Sequence, residues 1–427
     1  MGVLAVVRRF VPVVAILLAA ACAANETSET SDRTLGDAGQ LGDARVAVDS
    51  AVQIRSISAL GGSPDAESPV YLAVRMAVSD YGPLHGQFTV ELGIGLDGEC
   101  SQAGGRRAAR AALREESVIG VIGTSCTAAA VAAAPLLTEA GLVIISPSNT
   151  APALTSDLAG NAGERHNDGY YRTAHNDLHL GRAVADFLFV ELGARRAAAI
   201  HDGDPYTEGL AAAFADAFAA RGGRVTTSES IHRQAASHAA TWNSVAEGEP
   251  EAVFVTLFPD EAREVLGHRR TDGAGEALAV VTTSDLFGDD YLSEPRSAGM
   301  YLAGRDARHG DDVNESTGRD VADVLSRISA SVGEVSAGSF WPQAYDATTL
   351  LLDAIERASD PQDGALVIDR AALRDRLSAI DSYDGLTGTL ACDAFGDCGA
   401  SRMAVYQHLD PADPAAAATN VVFEYGR

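Results

Sequence analysis

The stretch VIGVIGTSCTAAAVAAAPLLTEAGLVIIS (118–146) decides the fold class. A β-branched run opens it, an alanine-rich helical segment follows, and a second β-branched run closes it. Short apolar strands that alternate with helices are typical of βαβ units, in which the helices cover a parallel sheet. The stretch therefore predicts a parallel sheet of the α/β class.

The same alternation extends to both sides of this stretch and restarts once. IRSISAL (54–60) and FTVELGI (88–94) are predicted strands, with a helix between them. From Asp177, helices and strands alternate again as far as ALAVVTTS (277–284), and YDATTLLLDAIERA (345–358) is a further amphipathic helix. A chain of 427 residues is longer than one ordinary domain. We therefore expect two doubly wound lobes.

The N-terminus has the layout of a cleavable export signal. Arg8 and Arg9 precede an apolar run (10–18), and three alanines then lead to Cys22. Small residues before a cysteine are similar to a lipoprotein signal, in which Cys22 becomes the lipid-modified first residue, although Leu18 stands one place earlier than usual. A secreted protein cut by an ordinary signal peptidase, or an uncleaved signal anchor, is the alternative.

The charge balance argues against nucleic acid as a partner. Lys and Arg together number 32 against 59 Asp and Glu, which gives a formal charge of -27 at pH 7. A protein with this charge repels phosphate backbones and anionic lipid head groups.

The cysteines agree with an oxidising compartment. Five are present, and setting Cys22 aside leaves an even number. Cys392 and Cys398 bracket DAFGD, a turn-like stretch, and are expected to pin a hairpin there. Cys100 is then left to pair with Cys126. The alternative is that all four are free, buried thiols.

Three blocks resemble a known family, the type I periplasmic binding proteins that serve branched-chain amino acid transporters. They are VIGTSCTAAAVAAAPLLTEAGLVIISPSNTAPALT (121–155), YYRTAHNDLHLGRAVADFLFVELGARRAAAIHDGDPYTEGLAAAF (170–214) and GLTGTLACDAFGD (385–397). The resemblance implies an extracytoplasmic protein that closes on a small ligand, an amino acid or an analogue, and passes it to an ABC transporter permease. No cofactor is implied.

The resemblance also implies that three hinge strands join the lobes, so each lobe consists of discontinuous segments. The crossings are expected near Tyr171–Ala174, near Gly299–Gly304 and near Gly385–Gly388. The expected division is an export signal at 1–22, a flexible polar tether at 23–48, a first lobe at 49–172 plus about 305–385, and a second lobe at 173–304 plus about 386–427.

The first lobe offers groups for a ligand carboxylate. Thr127 directly follows a predicted strand and opens a helix, so its hydroxyl and the helix N-terminal amides point to one place. The resemblance implies that Ser148 and Thr150, in SPSNT, contribute hydroxyl or backbone groups. The alternative is that Thr127 and Thr150 are only helix caps.

The second lobe offers a wall and an acid. By resemblance, Tyr206 covers the ligand and Phe258 stands where better-known members carry an aromatic residue with a hydroxyl. Asp285 matches the acid that pairs with the ligand ammonium, a position at which the family more often has Glu. The alternatives are a surface-packed tyrosine and a solvated loop acid.

The residues also offer alternatives to ligand transport, the first of which is a metal site in an enzyme. His175 and His179 are four residues apart at a predicted helix start, which is the spacing of a zinc pair, but no Glu adjoins the first His, and Asn176 and Asp177 are typical capping residues. We therefore expect no metal and no enzyme activity. A ligand-binding sensor subunit for a membrane receptor remains an alternative, as does a binder of an amide or an aromatic acid.

Overall fold

The computed structural model describes residues 41–59, 68–233, 235, 237–269 and 278–426. The export signal, Cys22 and most of the predicted tether lie outside the described residues. The strands are β1 (Asp43–Ala47), β2 (Val52–Ser58), β3 (Val90–Leu92), β4 (Leu96–Asp97), β5 (Val118–Gly123), β6 (Val143–Ser146), β7 (Tyr170–Arg172), β8 (Arg196–His201), β9 (Arg224–Ser230), β10 (Ala252–Val255), β11 (Ala279–Thr283), β12 (Tyr301–Arg305), β13 (Ser359–Gln362), β14 (Ala365–Asp369), β15 (Tyr383–Gly385), β16 (Gly388–Leu390), β17 (Met403–Gln407) and β18 (Val421–Tyr425).

The helices lie between these strands much as the sequence predicts. They are α1 (Pro69–Tyr81), α2 (Gln102–Ala112), α3 (Thr127–Glu139), α4 (Asp177–Asp186), α5 (Pro205–Ala220), α6 (Ala239–Glu247), α7 (Pro259–Gly267), α8 (Val321–Val332), α9 (Trp341–Arg357) and α10 (Arg370–Ser378). A π-helical turn, Phe187–Glu191, extends α4.

The first lobe is built on a parallel sheet with the strand order β3-β2-β5-β6-β7, and β4 also pairs with β2. Side chains of α2 and α3 pack on one face, in the cluster that contains Ala109 and Leu137. Those of α1, α8, α9 and α10 pack on the other, in the cluster that contains Leu72 and Leu351. Helices on both faces make this lobe doubly wound, as expected.

The second lobe repeats the arrangement. Its sheet has the order β18-β17-β12-β11-β10-β8-β9, in which the pairs β18–β17 and β17–β12 are antiparallel and the other pairs are parallel. Helices α4 and α5 cover one face through residues such as Phe214. Helices α6 and α7 cover the other face through residues such as Trp242. The α/β fold class with two doubly wound lobes is therefore confirmed.

The chain crosses between the lobes three times. We place the first crossing between Arg172, which ends β7, and Asp177, which begins α4. The second crossing follows Arg305 at the end of β12, later than the predicted Gly299–Gly304. Strand β12 belongs wholly to the second sheet, because all of its residues, Tyr301–Arg305, pair with β17 and its first three also pair with β11.

The third crossing also comes later than Gly385–Gly388. The hairpin of β15 and β16 stays with the first lobe, because the carboxylate of Asp346 in α9 accepts the N–H groups of Leu386 (2.7 Å) and Thr387 (3.0 Å). Leu390 and Cys398 are buried in the first-lobe core as well. We propose residues 399–402, just before β17, as the crossing and as the revised lobe boundary.

The end of the predicted tether is a strand. Asp43–Ala47 forms β1, which pairs antiparallel with β14 beside the first lobe. Ala44 and Val46 point into the core while their neighbours are exposed. This two-residue alternation is short and is surrounded by polar residues, so composition alone predicted a flexible segment there.

Both predicted disulfides are present in the structure. Cys100 bonds to Cys126, and Cys392 bonds to Cys398 across a tight turn in which the Asp393 N–H donates to the Asp397 carbonyl (2.9 Å). On the chain-entropy model, closing a loop such as that between Cys100 and Cys126 contributes about 3 kcal/mol.

Candidate ligand-binding site

A cavity of about 320 Å³ lies between the two lobes, at the carboxyl ends of parallel strands from both sheets. This is the place where open α/β sheets bind ligands, because loops and helix N-termini converge there. We call it the interlobe cavity. All six residues predicted to bind the ligand line it: Thr127, Ser148, Thr150, Tyr206, Phe258 and Asp285.

Helix α3 points its N-terminus at this cavity. Cys126 is the N-cap residue, and no side chain caps the helix among the described residues. The first N–H groups of a helix have no intrahelical acceptor, so a ligand anion can take them. Thr127 is the first helical residue rather than the cap, which removes the alternative that its hydroxyl serves only as the helix cap.

The two other first-lobe residues have different surroundings. The Ser148 hydroxyl donates to the Ser125 carbonyl at 3.4 Å. The buried Thr150 hydroxyl donates to Asp177 Oδ2 at 2.9 Å. While Asp177 is ionised, the Thr150 oxygen can therefore accept a hydrogen bond from a ligand but cannot donate one. Such a side chain suits a ligand ammonium better than the carboxylate that the sequence suggested.

Asp177 is more than a capping residue. Its side chain is fully buried, and burial raises the pKa of its carboxyl to about 7, an effect that the Thr150 hydroxyl and Arg172 oppose. Its Oδ1 has no hydrogen-bond partner among the described residues and lies 3.9 Å from His175 Nε2.

An aromatic wall comes from the second lobe. Tyr206 lies in the first turn of α5, where the Asp204 carboxylate accepts its N–H at 2.9 Å. Phe258 is the N-cap residue of α7, and the two rings are 5.2 Å apart between centroids. Tyr206 is therefore part of the cavity wall and not a surface-packed residue. Burial and the nearby Asp285 raise the pKa of its phenol well above the ordinary value.

Asp285 lies in a 3-10 turn, Ser284–Leu286, directly after β11. Its carboxylate accepts a hydrogen bond from the Thr283 hydroxyl at 3.3 Å. Burial raises its pKa, while Arg305 on the neighbouring strand lowers it. Gly304 allows this turn and β12 to approach closely, because a Cβ there would overlap Ser284 Oγ. Asp285 is thus a cavity acid rather than a solvated loop acid.

The sequence analysis did not assign His175, Arg305 and Phe340 to the ligand site, although all three line this cavity. The side chain of Arg305, the last residue of β12, is buried, and its guanidinium carbon lies 4.3 Å from the centre of the Phe340 ring. A signal was available for Arg305. Tyr206, Phe258 and Asp285 follow three parallel strands of the same sheet, and Arg305 ends the next one, at the same edge.

The two histidines weighed as a metal pair do not share a helix face. Helix α4 begins at Asp177, and Asn176 is its N-cap, whose side chain accepts the Leu178 N–H at 3.0 Å. His175 therefore precedes the helix and lines the cavity, whereas His179 lies against Tyr425 with 6.3 Å between ring centroids. Within the described part of the chain, no group of three or more His, Cys, Asp or Glu residues could hold a metal ion.

The model of a protein family described as periplasmic binding protein matches residues 56–410. The chain belongs to this family. One relative, the amino acid binding protein of Pseudomonas aeruginosa, is 24% identical over 296 residues, which cover 69% of this chain and 73% of that protein.

Solved structures of similar proteins have the same fold. A leucine binding protein of Thermotoga maritima superposes with a TM-score of 0.68 at 21% identity, covering 84% of this chain and 96% of that one. An ABC transporter solute binding protein of R. palustris in complex with benzoate superposes with a TM-score of 0.65 at 17% identity, covering 84% and 93%.

Periplasmic binding proteins act outside the cytoplasm, which agrees with the export signal predicted from the sequence. In the described ranges, no helix is both long enough and apolar enough to cross a membrane.

Proposed function

We propose that this protein captures a small amino acid between its lobes and delivers it to an ABC transporter permease in the membrane. The observation that carries the proposal is the pairing, in one cavity, of an acid on one lobe with an uncapped helix N-terminus on the other. An amino acid presents the complementary pair, an ammonium and a carboxylate. The names of the relatives, amino acid binding protein and leucine binding protein, support the same ligand class.

Capture works by closure, because neither lobe carries the whole site. The first lobe supplies the α3 N-terminus with Thr127 and Ser148 for the carboxylate. The second supplies Asp285 for the ammonium and the rings of Tyr206 and Phe258 as a wall. Closing the lobes removes water from both charged groups of the ligand, so a molecule that lacks one of them leaves a buried protein group unpaired, at a cost of about 1–3 kcal/mol or more.

In this scheme, Thr150 helps to bind the ligand ammonium. Because its hydroxyl donates to Asp177, its oxygen lone pairs are available to the ligand ammonium. The ammonium would then be held from both lobes, by Thr150 and by Asp285, and this bridge would stabilise the closed form that the permease recognises.

Delivery requires that the protein stay close to its permease. We propose that Cys22 carries a lipid and that the polar residues after it act as a tether to the part of the chain that the structure describes. We propose that the protein acts as a carrier and not as an enzyme, an interpretation that its family and the leucine binding protein relative support.

One observation favours a second candidate, an aromatic carboxylic acid. The cavity has an aromatic wall and a buried arginine, and the R. palustris relative binds benzoate. Such a ligand has no ammonium, however, and would offer the Asp285 carboxylate no positively charged group. The two candidates therefore differ in their dependence on this one side chain.

A thermal-shift screen tests the proposal. The purified mature protein is heated with each standard amino acid and with benzoate and related acids. A ligand at 100 times its Kd stabilises the folded state by about 2.7 kcal/mol, which is readily measured. We expect at least one amino acid to raise the melting temperature. Stabilisation by aromatic acids alone would contradict the proposal.

A further inference from the structure

Buried polar atoms without partners gather at one end of the interlobe cavity. The Nε of Arg305 and both ring nitrogens of His175 have no hydrogen-bond partner among the described residues. The two side chains are only 6% and 7% exposed, and both line the cavity. Buried donors of this kind are costly unless a ligand or water satisfies them. This end of the cavity is therefore built to receive a polar group.

The two side chains are held in place without a ligand. The Nη2 of Arg305 donates to the carbonyl of Ala337 (3.2 Å) and to that of Ser339. Its guanidinium lies against the Phe340 ring, to which the His175 ring is nearly parallel, at 15° and 6.3 Å between centroids. Fixed donors lose little entropy on binding, so the site is preorganised.

The charges at this end favour an anion. Burial lowers the pKa of Arg305 only to about 10, so the side chain stays cationic at neutral pH. Burial and Arg305 lower the pKa of His175 to about 3, so its ring is neutral and donates one N–H. Asp177 lies next to His175, but its pKa of about 7 leaves it only partly ionised, and Thr150 already donates to it.

A small second cavity adjoins this end of the interlobe cavity and shares Arg305 and His175 with it. It is lined by Arg305 and His175 together with His309, Arg402 and Asp306. The last of these, Asp306, is bound by Arg308. Arg402 lies 3.9 Å from Asp312, so Arg305 is the cation at this end that has no ion pair among the described residues.

In the proposed complex, the ligand ammonium competes with Arg305 for the charge of Asp285. No salt bridge joins the two side chains among the described residues, although each shifts the pKa of the other. If Asp285 pairs with a ligand ammonium, as proposed above, Arg305 is left as a buried cation without an anion. A ligand with an aliphatic side chain would provide no second anion for Arg305.

We propose that Arg305 and His175 bind a carboxylate at the end of the ligand's side chain, so that the ligand class is a dicarboxylic amino acid rather than a branched aliphatic one. This inference rests on the proposed function. The α-carboxylate lies at the N-terminus of α3, the ammonium at Asp285, and the second carboxylate receives N–H groups from the guanidinium and the imidazole. Arginine suits this role because its planar N–H groups match a carboxylate.

Titration calorimetry on the mature protein tests the inference with four probes: L-glutamate, L-aspartate, L-glutamine and L-leucine. We expect glutamate or aspartate to bind at least about tenfold more tightly than leucine, and glutamine to bind more weakly than glutamate. In Arg305→Gln, the affinity for the dicarboxylic probe should fall by about 10- to 100-fold, while that for leucine should not fall.

Two further variants control for structure. His175→Phe leaves the bonds of Arg305 to Ala337 and Ser339 intact and should weaken the dicarboxylic probe by several-fold. Arg221→Gln removes the same charge from a half-exposed surface pair with Asp186 and should change no affinity. Melting curves of each variant check folding, and His175→Phe keeps the test valid if Arg305→Gln does not fold.

The outcomes separate the two claims. If leucine binds more tightly than both dicarboxylic probes, or if neither Arg305→Gln nor His175→Phe weakens them, the inference is wrong while the proposed function stands. If glutamine equals glutamate, the group is a carboxamide and the carboxylate is refuted. If no amino acid binds at all, the proposed function itself fails.

Discussion

Replacing Asp285 tests whether this carboxylate pairs with the ammonium of the ligand. Its carboxylate is partly exposed to the cavity and is held by the Thr283 hydroxyl at 3.3 Å. In Asp285→Ala, a bound ammonium would lose its anionic partner inside a closed cavity. Breaking a buried charge pair in this way costs about 2–5 kcal/mol, or roughly 30-fold to several thousand-fold in Kd.

An isosteric substitution of Asp285 should weaken ligand binding nearly as much as Asp285→Ala does. Asp285→Asn keeps the shape and the acceptor oxygen but removes the charge, so most of the loss in affinity should remain. Asp290→Asn is a matched control, because this exposed acid lies five residues further along and outside the cavity lining. It should bind as the wild type does.

The stability of the ligand-free protein should change little. In Asp285→Ala the cost of burying the carboxylate disappears, but Arg305 loses a favourable neighbour, and these two effects oppose each other. Calorimetric titration with the ligand from the thermal-shift screen gives the Kd, and melting curves without ligand give the stability. Wild-type affinity in Asp285→Ala would refute the pairing with an ammonium.

Four further predictions concern single residues. Thr127→Val should cost about 1–2 kcal/mol of binding by calorimetry, because the α3 amides still hold the carboxylate; a loss as large as that of Asp285→Ala would contradict this. Asp177 binds its proton more tightly in the folded protein, with a pKa of about 7 against an ordinary 3.8, so its stabilising contribution is lost as pH rises from about 4 to 7. The melting temperature of Asp177→Asn relative to wild type should therefore be higher at pH 8 than at pH 5, and a difference independent of pH would be evidence against the shift. Peptide mapping without reduction should link Cys100 to Cys126, whereas crossed pairs or free thiols would refute the pairing. Wild-type protein should partition with membranes and Cys22→Ser should not be processed as a lipoprotein, a prediction that fails if the wild-type N-terminus carries no lipid.

The fold was predictable because its signal is local. The alternation around 118–146 combines β-branched strands with an alanine-rich helix, and such patterns report on each element separately. The six predicted cavity residues lie together because they follow strands of the two parallel sheets, and ligands bind at the carboxyl ends of such strands. Their presence in one cavity needed only strand order and the resemblance to a family.

The missed features depend on contacts between distant parts of the chain. The bond from Thr150 to Asp177 spans the first crossing, and no local pattern reveals which acid a threonine will meet. Arg305 is a single arginine after an apolar strand, and its burial depends on Phe340 and on carbonyls more than thirty residues away. Our proposal of a later third crossing rests on the bonds of Asp346 to the hairpin, which the sequence of the hairpin does not reveal.

The most direct test of amino acid capture uses the wild-type protein and truncated ligands. The amino acid identified by the screen is titrated beside two analogues, one without the ammonium and one without the α-carboxylate. We predict that each analogue binds at least about 30-fold more weakly, because each leaves buried groups of one lobe unpaired when the cavity closes. Equal binding of the analogue without the ammonium would contradict the account.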